Sequence, residues 1–168
     1  MNIYAYEFST RLKSHDFGRM AYVVAYLPQK LVKELPLDEN PRLRIDGEIN
    51  GFRFSNALHP SSGKWYVLVP KKTRKLLRIK LGSEVFIQFN IGDQNAVDMP
   101  RELRHALDTH DKANAVWNEL TPGRKRGFAY RIDSAKRKET RENRVEEVID
   151  QLMQLGAGKN VRRRSRWG

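Results

Sequence analysis

Up to about residue 98, apolar residues recur at every second position in short runs separated by turn residues; beyond it they recur every three or four. The two periods predict strands first and helices after. In NIYAYEFSTRL the residues Tyr4, Tyr6, Phe8, Thr10 and Leu12 fall on one face of a strand, with Glu7, Ser9 and Arg11 opposite. MAYVVAYL (20–27) is apolar on both faces, as a strand covered on two sides should be. Pro28 stops it, and QKLVKEL reads as a short helical turn.

RLRIDGEINGFRFSNAL predicts a hairpin. Leu43, Ile45 and Ile49 alternate with Arg42, Arg44, Asp46 and Glu48, and Phe52, Phe54 and Leu58 follow the turn. Asn50-Gly51 suits a type I′ turn, which needs positive φ at both central positions. That loop pairs Ile49 with Phe52, and Glu48 with Arg53 on the outer face. HPSSG makes the next turn, KWYVLVP the next strand and KKTRKLLRI a short helix after Pro70. SEVFIQFNI returns as a strand with Val85, Ile87, Phe89 and Ile91 on one face. Six strands with two short helical plugs predict a closed or nearly closed small β-barrel over residues 1–98, the first part of an α+β chain.

From Pro100 the pattern is helical. Leu103, Ala106 and Leu107 share one face, as do Ala113, Val116, Trp117 and Leu120. Thr121-Pro122 is a helix start, with threonine at the N-cap and proline at the first helical position. Asp133 or Ser134 suits the N-cap of the last helix, whose Val145, Val148, Ile149, Leu152 and Leu155 keep the 3–4 spacing. Gly156 is expected to end it. The helical extension is thus placed at 99–156, and AGKNVRRRSRWG (157–168), which has no periodic pattern, as a basic disordered tail.

The residues LTPGRKRGFAYRIDSAKRKETRENRVEEVIDQLMQLG (120–156) closely resemble the C-terminal signature of the YdeI/OmpD-associated, or bacteriocin-protection, family. The matching features are a Leu-x-Pro-x-x-Lys/Arg-Arg opening, an aromatic-x-Ile segment, Ala-Lys-Arg-x-Glu-Thr-Arg, and a helix ending in Leu-x-x-Gly. The preceding residues resemble the small barrel domain of unknown function often joined to it, through G-x-ING-x-x-F, GKWYVLVPK and LGSEV. The resemblance implies a bacterial protein with that fold; it brings no catalytic set. YVLVPKKTRKLLRIKLGSEVFIQF is also similar in its order of elements to AbrB-type swapped-hairpin DNA-binding proteins.

Candidate chemistry is sparse. There is no cysteine, which excludes disulfides, thiolate metal sites and cysteine nucleophiles. His105 and His110 lie five residues apart, not at the four-residue spacing of a helical zinc pair. His59 lies near Ser61 and Ser62, but no G-x-S-x-G elbow frames them. GAGKN (156–160) lacks the first glycine and the Ser/Thr of a phosphate-binding loop. Asp93, Asp98, Asp108 and Asp111 share no defined spacing. The expectation is a non-enzymatic protein with no cofactor and no metal. No apolar run reaches the roughly 20 residues of a bilayer span, and the N-terminus carries no signal-peptide pattern, so the expected place is the cytoplasm.

Charge changes this picture most. The net charge is +12, from 32 basic and 20 acidic residues. Residues 1–100 hold 15 basic and 10 acidic residues, net +5, and residues 101–168 hold 17 and 10, net +7. Such an excess favours phosphate backbones. Three segments concentrate it. Lys71, Lys72, Arg74 and Lys75 surround one short helix. Between 121 and 141 lie Arg124, Lys125, Arg126, Arg131, Lys136, Arg137 and Arg141, and the tail adds Arg162, Arg163 and Arg164. A stripe of this kind can neutralise phosphates while Tyr130 or Phe128 stacks on an unpaired base. In the alternative, Phe128, Tyr130 and Ile132 turn inward to anchor the segment, and Glu139 and Glu142 pair with neighbouring charges. The function expected is binding of nucleic acid or another polyanion. A protein–protein adaptor in stress or bacteriocin tolerance, and a small-ligand or enzymatic barrel with a pocket gathering His59, Asp93 or Trp65, are the other two readings.

Overall fold

A computed structural model describes residues 3–164, with side chains described to residue 158. The chain divides into two compact units, Met1–Gln94 and Asn95–Gly168.

Among the described residues the first unit holds eight strands and two short helices. The strands are β1 (Tyr6–Arg11), β2 (Lys13–Phe17), β3 (Met20–Tyr26), β4 (Arg44–Ile49), β5 (Phe52–Ala57), β6 (His59–Ser61), β7 (Lys64–Leu68) and β8 (Glu84–Ile91). Helix α1 (Gln29–Glu34) follows β3, and α2 (Lys71–Leu77) follows β7. The strands form two four-stranded sheets, ordered β1-β8-β4-β5 and β2-β3-β7-β6. The mixed helix and sheet are as expected, but eight strands in two sheets stand in place of six in one closed or nearly closed barrel. The physical reason lies at two leucines. Leu12 interrupts the first predicted strand, so that β1 lies in one sheet and β2 in the other. Leu58 divides β5 from β6 in the same way. Both leucines are buried, at 1% and 0% exposure, and each donates its backbone N–H to the chain beside the corner, Leu12 to Ser83 O and Leu58 to Leu43 O (2.9 Å each). A strand that bends about an inward leucine keeps its alternation while changing sheets.

The hairpin forms in the expected register. Ile49 is opposite Phe52 and Glu48 opposite Arg53, whose Nε lies 3.7 Å from the carboxylate. Asn50 and Gly51 have φ of 47° and 80°. Asn50 does more than turn the chain, because its Oδ1 accepts from Phe86 N (2.8 Å) and its N–H donates to Phe86 O (2.9 Å). The core between the sheets gathers Phe8, Leu12, Ala25, Ile45, Leu58, Val67, Ile87 and Phe89. Of the two predicted plugs, α1 buries Leu31, whereas α2 buries no residue fully and only Leu77 packs against the core.

The second unit is helical: α3 (Arg101–Asp108), α4 (Asp111–Asn118), α5 (Pro122–Asp133) and α6 (Lys138–Arg164). The predicted faces are the buried ones, with Leu103, Leu107, Ala113, Val116, Trp117, Val145, Val148, Ile149 and Leu152 in one cluster. Thr121 caps α5, its side chain accepting from Arg124 N (3.4 Å), with Pro122 at the first helical position. Asp133 and Ser134, expected at the N-cap of the last helix, instead close α5.

Gly156 does not end α6. The helix backbone continues past it, and a Cβ at this position would lie 2.9 Å from Val116 Cγ2 of α4. The glycine therefore serves a close approach between two helices, not a left-handed cap. Residues 157–164, expected as tail, are helical, while 165–168 lie outside the described residues. No helix among the described residues is long and apolar enough to cross a membrane.

Candidate nucleic-acid interface

In the first unit, Lys71 and Lys72 occupy the first turn of α2, which carries no acidic residue, and Lys75 stands in its last turn; all three are exposed. None of them makes an ion pair among the described residues. Arg74 differs: its Nε donates to Val69 O at 3.1 Å, so the guanidinium fastens the helix to the end of β7. Arg78 ends the helix in the left-handed region, with φ of 54°.

In the second unit the basic segment splits into cations with internal work and cations facing water. Arg141, on α6, donates through Nε to Glu102 Oε1 (2.9 Å) and through Nη2 to Glu102 Oε2 (3.1 Å) and Asp133 Oδ1 (3.1 Å). This fork joins α3, α5 and α6. Arg131 pairs with Glu147. Arg126 Nη1 donates to Ala96 O at 3.0 Å, and Lys125 Nζ lies 6.0 Å from the centre of the Trp117 ring. What remains is Arg124 in the first turn of α5, and Lys136 and Arg137 in its connection to α6. All three are exposed and outside the ion pairs of the described residues. Arg124 stands nine residues before the helix ends at Asp133, about 14 Å along its axis, and Lys136 and Arg137 lie beyond that end, so the three do not form one continuous stripe. The side chains of Arg162, Arg163 and Arg164 lie outside the described residues.

The aromatic residues of this segment separate as well. Ile132 is fully buried, and Phe128 is half-buried with its ring 6.4 Å from Trp117. Tyr130 is 74% exposed, so the expectation that it turns inward fails. The reason is its place on α5: Ala129 and Ile132, three apart, define the buried side, and Tyr130 falls next to that side but not on it. Beside it, α5 and α6 form an open groove of about 590 Å³ lined by Tyr130, Arg131, Ser134, Asn143, Arg144 and Glu147, among others. Arg144 Nη1 donates to Arg131 O (2.5 Å) and Ser134 Oγ (3.0 Å), closing the C-terminal end of α5. Asn143, Arg144 and Glu147 escaped the sequence reading. Their signal is the 3–4 spacing of a second, polar face on α6.

The Glu102–Arg141 pair sets a pH dependence. The hydrogen bonds from Arg141 hold the Glu102 carboxyl below its ordinary value of 4.5. A carboxyl whose folded pKa lies below its unfolded one stabilises the fold above the unfolded value and loses that contribution as pH falls through the folded one. The helical unit is therefore expected to weaken below pH 4.5, and Glu102→Gln to flatten part of that loss. Thermal melts of the two proteins between pH 3 and 7 test this; parallel curves would remove Glu102 from the account.

None of His59, Asp93 or Trp65 lines one cavity of the first unit. That cavity, about 190 Å³, is lined mainly by Ile49, Phe54, Val67, Val69, Pro70 and Ile87, with Ser55, Asn56 and Thr73 as polar groups. Among the described residues no three His, Asp or Glu side chains gather as a metal site would need. His110 Nδ1 instead lies 2.8 Å from Ala106 O at the end of α3.

Residues 96–154 match the profile described as bacteriocin-protection, YdeI or OmpD-associated, and residues 8–89 match a domain of unknown function, DUF1905. The chain is similar to the YdeI/OmpD-associated family over residues 96–154. Its two matched regions fall one in each compact unit. The chain is also similar to the uncharacterized protein YdeI of Bacillus subtilis (strain 168), with 31% identity over 74 residues. That stretch is 44% of this chain and 36% of the relative, so the match spans about a third of the relative's length. The Arg141 fork and the Thr121 cap both fall inside the YdeI/OmpD-associated region.

Proposed function

We propose that this chain, similar to the YdeI/OmpD-associated family, is a cytoplasmic, non-enzymatic protein that binds nucleic acid through its phosphate backbone. The observation that carries the reading is the separation of its cations. Arg126, Arg131 and Arg141 are engaged inside the helical unit, whereas Arg124, Lys136 and Arg137, with Lys71, Lys72 and Lys75 on α2, face water without a carboxylate partner among the described residues. Cations held by internal carboxylates contribute little to binding a polyanion, so the exposed set decides the affinity. The net charge of +12 supports a non-specific mode.

The test is fluorescence anisotropy of labelled DNA and RNA at several salt concentrations. A dissociation constant of roughly 10⁻⁴–10⁻⁶ M at physiological salt is expected, weakening steeply as salt rises. Replacing Arg124, Lys136 and Arg137 together by alanine should reduce the slope of log affinity against log salt by about 2–3, near 0.9 for each lost duplex contact. Arg141→Ala should leave that slope unchanged while lowering stability. Affinity indifferent to salt would remove the reading.

A further inference from the structure

We propose that the outer face of the second sheet is a stacking platform for the bases of single-stranded nucleic acid. The inference rests on the nucleic-acid reading above and adds the surface and the form of the ligand. Strand β3 raises the question. Val23, Ala25 and Leu27 point into the core of the first unit, so in a sheet open to water on its other face the intervening residues should be polar. They are Met20, Tyr22, Val24 and Tyr26; Val24 is fully buried and Tyr26 half-buried, so the face is open at its Met20 and Tyr22 end.

The register extends that face across all four strands. His15 is opposite Tyr22, Phe17 opposite Met20, Tyr26 opposite Tyr66, and Tyr66 opposite His59. Residues directly opposite in an antiparallel ladder share a face, so the six rings of His15, Phe17, Tyr22, Tyr26, His59 and Tyr66 stand on one side. The inner ones are locked together. His15 and His59 lie 4.6 and 5.5 Å from Tyr66, centre to centre, and His15 Nδ1 is 2.7 Å from Tyr26 Oη. Tyr66 is 4% exposed in consequence. The platform then opens outward: Phe17 is 64%, Met20 60% and Tyr22 37% exposed. A contiguous apolar and aromatic patch standing in water marks a contact surface.

Charge selects the occupant. The only acidic residue in the four strands is Asp16, opposite Ala21 and therefore on the other face of β2. The platform face carries Lys13 and Lys64, the latter with its Nζ 5.8 Å from the centre of the Tyr26 ring. Arg42 is near enough to add to the lowering of the His59 pKa that burial begins. Exposed rings at one end of this face, lysines at its other end and no carboxylate on the platform side of the four strands complement unpaired bases on a phosphate chain. A duplex, whose bases are already stacked, presents only its phosphates.

The experiment compares a labelled 20-nucleotide single strand with the corresponding duplex, using the full chain. Phe17→Ala and Tyr22→Ala, both at exposed positions, should each weaken single-strand binding between about fivefold and a hundredfold, and leave duplex binding within twofold. Phe17→Trp and Tyr22→Phe, which keep the rings, should retain wild-type affinity. Equal losses from the alanine and the ring-keeping variants would mean disrupted structure and overturn the proposal. So would binding of the single strand by the wild type that no variant changes, although salt-dependent duplex binding would then leave the backbone reading standing. If neither form of nucleic acid binds, the backbone reading falls too. Self-association of the wild type that Phe17→Ala disperses would assign the patch to a second copy of the chain instead.

Discussion

Replacing Gly47 by alanine is expected to destabilise the β-unit by about 3 kcal/mol or more, at the upper end of overpacking effects. Gly47 lies in β4 between two neighbours, opposite Phe54 of β5 and Phe89 of β8. A Cβ there would stand 2.0 Å from the carbonyl oxygen of Gln88 and 2.7 Å from Phe89 Cβ. The first is backbone, so no side-chain rotation relieves the clash, and the β4–β8 pairing itself must shift. Phe89 is fully buried, stacked on Tyr6 at 5.2 Å, so the disturbance enters the core directly. Gly51→Ala is the comparison. Gly51 has a φ of 80° but open space for a methyl group, and the cost should be near 1–2 kcal/mol. In urea titrations with a slope of about 1–3 kcal/mol per molar, the midpoint should fall by roughly 1–3 M for Gly47→Ala and by clearly less for Gly51→Ala. The reverse order would mean that turn strain, not strand approach, limits this sheet.

Those two glycines also show what was legible in the sequence. Asn50-Gly51 announced its hairpin because a type I′ turn demands two positive φ values, a local requirement. A glycine inside a strand pattern indicates that something comes close, but not what. The corners at Leu12 and Leu58 were hidden for a related reason. Each leucine fits the alternation of the strand before it, so the pattern does not change where the chain passes from one sheet to the other.

On the helical side, the apolar faces and the Thr121 cap could be read because spacing determines them. The fates of the arginines could not. Arg137 and Arg141 look alike in the sequence, yet Arg141 meets Glu102, 39 residues away, and Arg137 meets water. Gly156 misled because the same residue that ends helices also lets two of them touch. The aromatic face of the second sheet was half visible, in a strand apolar on both sides. Its extent needed the pairing of His15 with Tyr22 and of His59 with Tyr66.

Leu152→Ala should cost the helical unit about 2–5 kcal/mol. Leu152 is fully buried on α6, the helix against which α3, α4 and α5 all pack. Its cluster includes Leu103, Leu107, Trp117, Ile132 and Val148, drawn from every helix of the unit. A cavity among side chains from four helices closes only if all four move, which places the expected cost in the upper part of that range. Met153, one residue on and 40% exposed, provides the control, and Met153→Ala should stay within about 0.5 kcal/mol. Hydrogen exchange read by mass spectrometry separates the consequences by region. Amides of α3 to α6 should lose protection in Leu152→Ala while those of β4 and β8 keep it, and Gly47→Ala should give the opposite pattern. Loss of protection in both units from either substitution would make the chain one cooperative body.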